Sequence, residues 1–407
     1  MKARGVCSLF LLVAGLAAQT GLSQTFTTLY SFEGGNDGAQ PQAGLVVGQD
    51  GSIYSTTVSG GAFGMGTVFQ LTPPATEGAA WTETVLYSFQ GPPGDGNTPY
   101  GMLLIGANGD LYGTTTGGGG AKQGGIVFQL SPPQTAGGAW SETVLHNFPQ
   151  PAAFLLYAGV IADANGTLYG DTFFGGVNGG TVFTLSPATP WIENTIYELH
   201  PEADGAQPQA NLAWGPSGVL YGTASIGGKP RMGTVFELAP PQSKGGSWTE
   251  TTLHEFTGPS DAVPTAPVLV GASGQLYGTT SGGNSTHGTV FELTRQADGT
   301  WSETILHNFA DRLDGVNPYA GLVPDSSGAL YGVTYLGGAA NRGTVFKLTP
   351  PGSVGGTWAK TTLHNFTGRN GQGSYPYGGL VFGYRGALYG TTDAGGASGN
   401  GTVFALK

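Results

Sequence analysis

From residue 25 to its end, the chain alternates short runs of β-favouring residues with clusters of glycine, asparagine, aspartate and proline. In the stretch beginning at Trp358, WAKTTLHNF alternates and is rich in threonine and aromatics, and YGGLVFG follows a proline. GALYGTT comes after a tight turn at YRG, and GTVFALK closes the set. Runs of four to eight such residues between turn-formers predict strands. The equivalent turns QDG, ANG, SSG and ASG are hairpin signals. After residue 24 no segment carries a helical period.

The pattern repeats. GTVF or a close variant ends at Phe69, Phe128, Phe183, Phe236, Phe291, Phe346 and Phe404, a period near 55 residues. Seven tandem units of four strands predict an all-β chain, a seven-bladed β-propeller of four-stranded antiparallel blades. A parallel β-helix is the runner-up, but its rungs are shorter than about 30 residues. We letter the strands a to d from the centre outward. In the first unit GLVV is a, SIYSTT is b, GTVFQL is c and WTETVLYSF is d. The segment TFTTLYSF, residues 25–32, is a d-type strand standing alone, and the chain ends on a, b and c without d. The N-terminal strand is therefore expected to complete the seventh blade and close the ring, removing an exposed edge. Residues 25–407 are read as one domain.

Composition fits this reading. The chain has 75 Gly, 26 Pro and only 10% charged residues. Glycine lacks the strict triplet period of collagen, and the regular apolar strands argue against disorder. Residues 1–24 have a basic start (Lys2, Arg4), an apolar core and small residues, the layout of a secretory signal peptide cleaved between Ala17 and Gln24. The expectation is a secreted, extracellular bacterial protein. The only cysteine, Cys7, lies in that segment, so the mature chain is expected to carry no disulfide. A formal net charge of −11 without a basic stripe speaks against nucleic acid and anionic membrane surfaces as partners. A monomer with no membrane insertion is expected.

Candidate chemistry follows from the strand order, which puts the d–a and b–c loops on one face. Propeller ligands bind where loops meet the central channel, so this is the candidate face. Its d–a loops repeat an acidic turn carrying Asp37, Asp95, Asp204, Asp261 and Asp314. Such turns offer oxygen ligands suited to Ca²⁺, which takes six to eight of them. The competing reading is that each aspartate bonds its own turn backbone. No other cofactor is expected.

A tyrosine opens several a strands: Tyr100, Tyr157, Tyr319 and Tyr377, with Ala or Gln expected at the other matching positions. A ring of tyrosines at the channel mouth can stack on a sugar or another flat ligand, or simply plug the channel. In the b–c loops a shared Gly-Gly serves the backbone, and the variable residues are the specificity candidates. These are Phe63, Phe173, Phe174, Arg231, His287, Tyr335 and Arg342.

Residues repeated at one position of the outer strand in several units read as structural. They include His146, His200, His254, His307 and His364 on strand d, the tryptophans that open strand d, and the glutamates of W-x-E-T. Symmetry is broken by Asp171 in unit three, whose d–a loop loses its Asp-Gly turn, and by Asp393. No nucleophile elbow or histidine-based triad is present.

The unit LYGTTxxGGxxxxGTVFxLxPP…WxETxLHxF resembles the GloVer tandem repeat of secreted bacterial choice-of-anchor proteins, over about residues 25–407. The resemblance implies export and a bacterial source, and it brings no known enzymatic activity with it. Such proteins often end in a cell-surface sorting segment. None follows the repeats here, so free release is expected. The reading is a secreted binding or interaction module for a carbohydrate or extracellular protein, with ligands on the d–a/b–c face. The alternatives are an extracellular polysaccharide hydrolase or lyase, and a structural surface scaffold. A pocket with two or three converging ionisable groups would favour the enzyme; a tyrosine-lined mouth would favour binding.

Overall fold

The computed structural model describes residues 24–76, 78–120, 122–135, 137–258, 261–282, 287–353, 355–383 and 386–407. The segment read as a signal peptide, residues 1–24, lies outside them apart from Gln24.

Seven four-stranded antiparallel sheets follow one another as the blades of a β-propeller. Blade 1 runs from a to d as Val46–Val47, Ile53–Thr57, Thr67–Thr72 and Thr82–Ser88. In blade 7, Val381–Phe382, Leu388–Thr392 and Thr402–Leu406 are a, b and c. Its fourth strand is Phe26–Ser31, which pairs antiparallel with Thr402–Leu406 from Phe26↔Leu406 to Ser31↔Thr402. Thr25 N–H donates to Lys407 O at 2.8 Å, so the seam is hydrogen-bonded to its last residue. A 3₁₀ turn at Pro216–Gly218 joins strands a and b of blade 4.

One β-bulge recurs between strands c and d of every blade, as between Val68 and Phe69 in blade 1. The extra residue raises local twist, which suits a blade splayed from a central axis.

The core lies between blades. The phenylalanine of each GTVF motif has no exposure and meets the aromatic or leucine that ends strand d of the preceding blade. Phe32 and Phe69 are edge-on at 5.1 Å, Phe89 and Phe128 at 5.2 Å, and Phe366 and Phe404 at 5.2 Å. The ring needs a glycine on strand b. A Cβ at Gly332 would come within 2.6 Å of Phe346 and 3.0 Å of Leu322. Farther out, each tryptophan opening strand d meets the strand-b tyrosine of the preceding blade, as in Trp81–Tyr389 (5.8 Å) and Trp248–Tyr169 (6.2 Å).

Threonines on strand b bolt neighbouring blades together. Thr114, Thr223, Thr279 and Thr391 donate to the carbonyls of Ala158, Ala266, Ala320 and Ala43 in the next blade, at 2.7–3.2 Å. Thr56 does the same to Pro99. Val333 and Asp171 hold this position in blades 6 and 3.

Candidate functional site

The d–a and b–c loops share one face and pair with each other. The pairs include Gly96–Asn97 with Gly117–Gly118, Ala153–Phe154 with Phe174–Gly175, and Gly373–Ser374 with Ala394–Gly395. Single bridges at Ala39↔Ser59, Ala206↔Ile226 and Val316↔Leu336 do the same in blades 1, 4 and 6.

A left-handed residue fixes where each d–a loop ends. Gln40, Thr98, Leu155, Gln207, Val263, Asn317 and Tyr375 all have φ between 56° and 63°. None is glycine, and for the β-branched Thr98 and Val263 this conformation is strongly disfavoured. Two hydrogen bonds hold each one. Its N–H donates to the b–c loop of the preceding blade at 2.8–2.9 Å, and its carbonyl accepts from the b–c loop of its own blade at 2.9–3.3 Å. The strain is thus spent on tying adjacent loops together, and it aims the residue two positions later at the channel.

Those residues form the mouth. Tyr100, Tyr157, Tyr319 and Tyr377 line a cavity of about 250 Å³, joined from the other blades by Gln42, Gln209 and Thr265. Thr265 stands where Ala or Gln was expected. Met102, Asn211 and Pro267 line the cavity one turn of the pleat deeper. The ring is lopsided: tyrosines occupy blades 2 and 3 and blades 6 and 7, whereas blades 4 and 5 present amide and hydroxyl groups.

The aromatics continue as two ladders. Tyr100 meets Tyr157 at 5.4 Å, Tyr157 meets Phe173 at 5.1 Å, and Phe173 meets Phe174 at 4.7 Å. Across the channel Tyr319 meets Tyr377 at 5.5 Å and Tyr335 at 5.6 Å, and Tyr335 meets Tyr375 at 5.3 Å. Arg342 caps this second ladder, lying 4.9 Å over Tyr375 and donating to its hydroxyl.

Burial pushes the Tyr377 phenol up to about 12, helped by its neighbours Tyr100, Tyr319, Tyr157 and Tyr335. Burial also raises Tyr100, Tyr319 and Tyr335. These phenols are neutral hydrogen-bonding groups at physiological pH. Asp393 joins them at the rim. Its Oδ1 accepts from Gln42 Nε2 at 2.8 Å, its charge is felt by Tyr100 and Tyr335, and burial raises its carboxyl.

Other candidates lie elsewhere. Phe63 is an exposed side chain on blade 1, Arg231 pairs with Glu202 at the exposed rim, and the His287 carbonyl accepts the left-handed Asn317 N–H. Four of the turn aspartates are held by strand-d side chains and nearby backbone. Asp37 accepts from the Tyr30 hydroxyl (3.0 Å) and Glu33 N–H (2.7 Å), and Asp95 from Tyr87 (2.9 Å) and Gln90 (2.7 Å). Asp204 accepts from Tyr197 and from His200 N–H, and Asp314 from His307 (2.8 Å) and Lys360 (2.7 Å). Among the described residues no three His, Cys, Asp or Glu side chains gather as a metal would need.

The glutamates of strand d face these turns. Glu83, Glu142, Glu250 and Glu303 are each pushed up to about 7, chiefly by burial and with help from Asp37, Asp95, Asp204 and Asp261 respectively. In blade 6 the place is taken by Lys360, which pairs with Asp314 instead. Asp171 is fully buried on strand b of blade 3, and neither carboxylate oxygen has a partner. It is on a different blade from Asp393, with blades 1 and 2 between them, and the two do not touch.

Sequence reasoning missed Tyr375, Gln42 and Asn211. Tyr375 was legible as the one aromatic in the loop position that holds Gln, Thr, Leu, Val or Asn elsewhere.

The profile of the Gloeobacter/Verrucomicrobia repeat matches residues 16–152, 119–302 and 281–407. The chain belongs to that repeat family. The repeats of the family thus run through all seven blades. No curated protein matches the sequence. Among solved structures this repeat protein is similar to the extracellular domain of the hybrid two-component system BT4673 from B. thetaiotaomicron. That match has 14% identity and a TM-score of 0.55, over 94% of this chain and 42% of the other. The extracellular domain of hybrid two-component system BT3049 from the same organism gives 13% identity and a TM-score of 0.51, over 93% and 41%. At such identities the likeness is one of fold, and the repeat chain spans about two fifths of the length of those proteins. No helix among its described residues is long and apolar enough to cross a membrane.

Proposed function

We propose that this repeat protein is an exported binding module that takes a carbohydrate chain end in the tyrosine-lined mouth of its channel. One observation carries the reading: four tyrosines from two pairs of neighbouring blades line a single cavity, with amides and hydroxyls opposite them. Aromatic faces stack on the apolar faces of sugar rings, while amide and phenol groups bond their hydroxyls. A cavity of about 250 Å³ is just below the ~300–1,000 Å³ usual for small-molecule sites. It suits a terminal sugar better than a flat protein surface. Among the described residues Asp393 is the one carboxylate at the mouth, whereas glycosidases ordinarily use two, ~5–10 Å apart. The account therefore favours binding without turnover. Ca²⁺ is not needed for it.

The test is a glycan array read alongside a polysaccharide hydrolysis screen, with Tyr377→Ala and Tyr100→Ala compared with the parent protein. Binding that both substitutions weaken at least tenfold, without hydrolysis, is the expected result. Turnover would overturn the binding reading, and binding indifferent to both tyrosines would move the site off the channel. Export is tested by finding the protein in culture supernatant with its N-terminus between residues 18 and 25.

A further inference from the structure

Seven residues stand at one level of the mouth, each just after strand b: Val58, Thr116, Phe173, Ser225, Ser281, Tyr335 and Asp393. Only Asp393 is charged. Its side chain accepts one hydrogen bond, from Gln42 to Oδ1 at 2.8 Å, and Oδ2 accepts none among the described residues. Among the described residues no lysine, arginine or histidine pairs with it. Arg342, the nearest cation on that ladder, is committed to Tyr375 and contributes nothing to Asp393. A half-buried carboxylate without a counter-charge is costly, and among the described residues only the Gln42 hydrogen bond offsets that cost.

We propose that Asp393 recognises a protonated amine on the ligand, so that the carbohydrate bound at the mouth is an amino sugar. This rests on the carbohydrate reading above. The surroundings suit an ammonium group. Tyr100 on blade 2 and Tyr335 on blade 6 flank the carboxylate closely enough to feel its charge. Their neutral phenol oxygens accept further ammonium hydrogens, and their ring faces attract a cation. Gln42 holds the carboxylate by one oxygen and leaves the other for the ligand. Neither a neutral hydroxyl nor an acetamide supplies the missing charge.

The experiment uses three β-1,4-linked tetrasaccharides that differ only at carbon 2, carrying hydroxyl, acetamide or amine. Binding to the purified protein is measured by calorimetry near pH 6, below the ~7.7–8.0 of an α-amino group, so that the amine is charged. The amino tetrasaccharide is expected to bind at least tenfold tighter than either neutral one, and added salt is expected to narrow the gap. Asp393→Asn is expected to bring it to the level at which the same variant binds the neutral sugars. Asp393→Ser, the residue blades 4 and 5 carry at this level, gives the same readout should the asparagine variant misfold. Neutral sugars binding as well as the amino sugar, or a preference that survives both substitutions, would overturn the inference while leaving the carbohydrate site standing. Failure of all three sugars to bind would overturn both.

Discussion

Replacing Asp171 with threonine is expected to stabilise the protein, and the structure sets the size of the effect. In five blades a threonine at this place donates across the seam to the next blade. Asp171 is 2% exposed, with neither oxygen partnered. Threonine there is placed to donate to Ala210 O, worth about 0.5–1.5 kcal/mol. It also removes an unsatisfied buried polar group that costs about 1–3 kcal/mol. A gain of about 1.5–4.5 kcal/mol is therefore expected at neutral pH. Burial alone raises the Asp171 carboxyl well above its usual range. The folded state thus keeps a proton that the unfolded chain releases above about pH 3.9. The parent's stability from this group is fully present below that pH and is lost as pH rises toward the raised folded value. The advantage of Asp171→Thr must therefore grow from pH 4 to pH 8. Urea denaturation of the parent, Asp171→Thr and the non-titrating Asp171→Asn at both pH values measures it, and the other titrating groups cancel in the comparison. A threonine variant no more stable than the parent at pH 8, or a gap equal at both pH values, would refute the reasoning.

Three further outcomes are expected. The four strand-d glutamates raised to about 7 make the fold most stable below about pH 4.5, with stability falling as pH rises through 7. Glu142→Lys copies the Lys360–Asp314 pair of blade 6 onto Asp95 and should flatten that fall, adding about 1 kcal/mol at pH 8 in the same denaturation assay. Val263→Gly relieves a left-handed valine, worth about 1–2 kcal/mol, against about 0.5–1 kcal/mol of glycine entropy. A small rise in melting temperature is expected, and a fall would show that the valine side chain matters more than its backbone. Deleting residues 25–32 uncovers the edge of Thr402–Leu406 and should give aggregates or an unfolded chain by size-exclusion chromatography; a monomer with an unchanged melting temperature would contradict the closure.

Much of the fold was legible because the repeat carries it. Phe69 and its six counterparts mark strand c, and the orphan TFTTLYSF gave the seam before any pairing was seen. The a strands were less clear: GLVV reads as a full strand, yet only Val46–Val47 pair with strand b. The mouth was half legible. Tyr100, Tyr157, Tyr319 and Tyr377 fall at one repeat position, but their aim depends on left-handed residues such as Gln40 and Leu155, which nothing in side-chain chemistry betrays. Asp393 was visible as an exception. Its partner Gln42 was not, because 351 residues separate them and only ring closure makes them neighbours. Phe63, Arg231 and His287 vary as specificity residues do, yet their loops carry them away from the channel or use their backbone instead. The turn aspartates resembled Ca²⁺ ligands because the Tyr or His that engages four of them lies seven or eight residues earlier, on strand d.

The claim that the tyrosine-lined mouth is the binding site is tested most directly by ¹³C-tyrosine NMR during titration with a glycan that the array identifies. The account predicts saturable shifts at Tyr100, Tyr157, Tyr319 and Tyr377, with Tyr54 and Tyr277 on strand b unmoved. Shifts confined to the strand-b tyrosines, or binding that moves no tyrosine at the mouth, would contradict it.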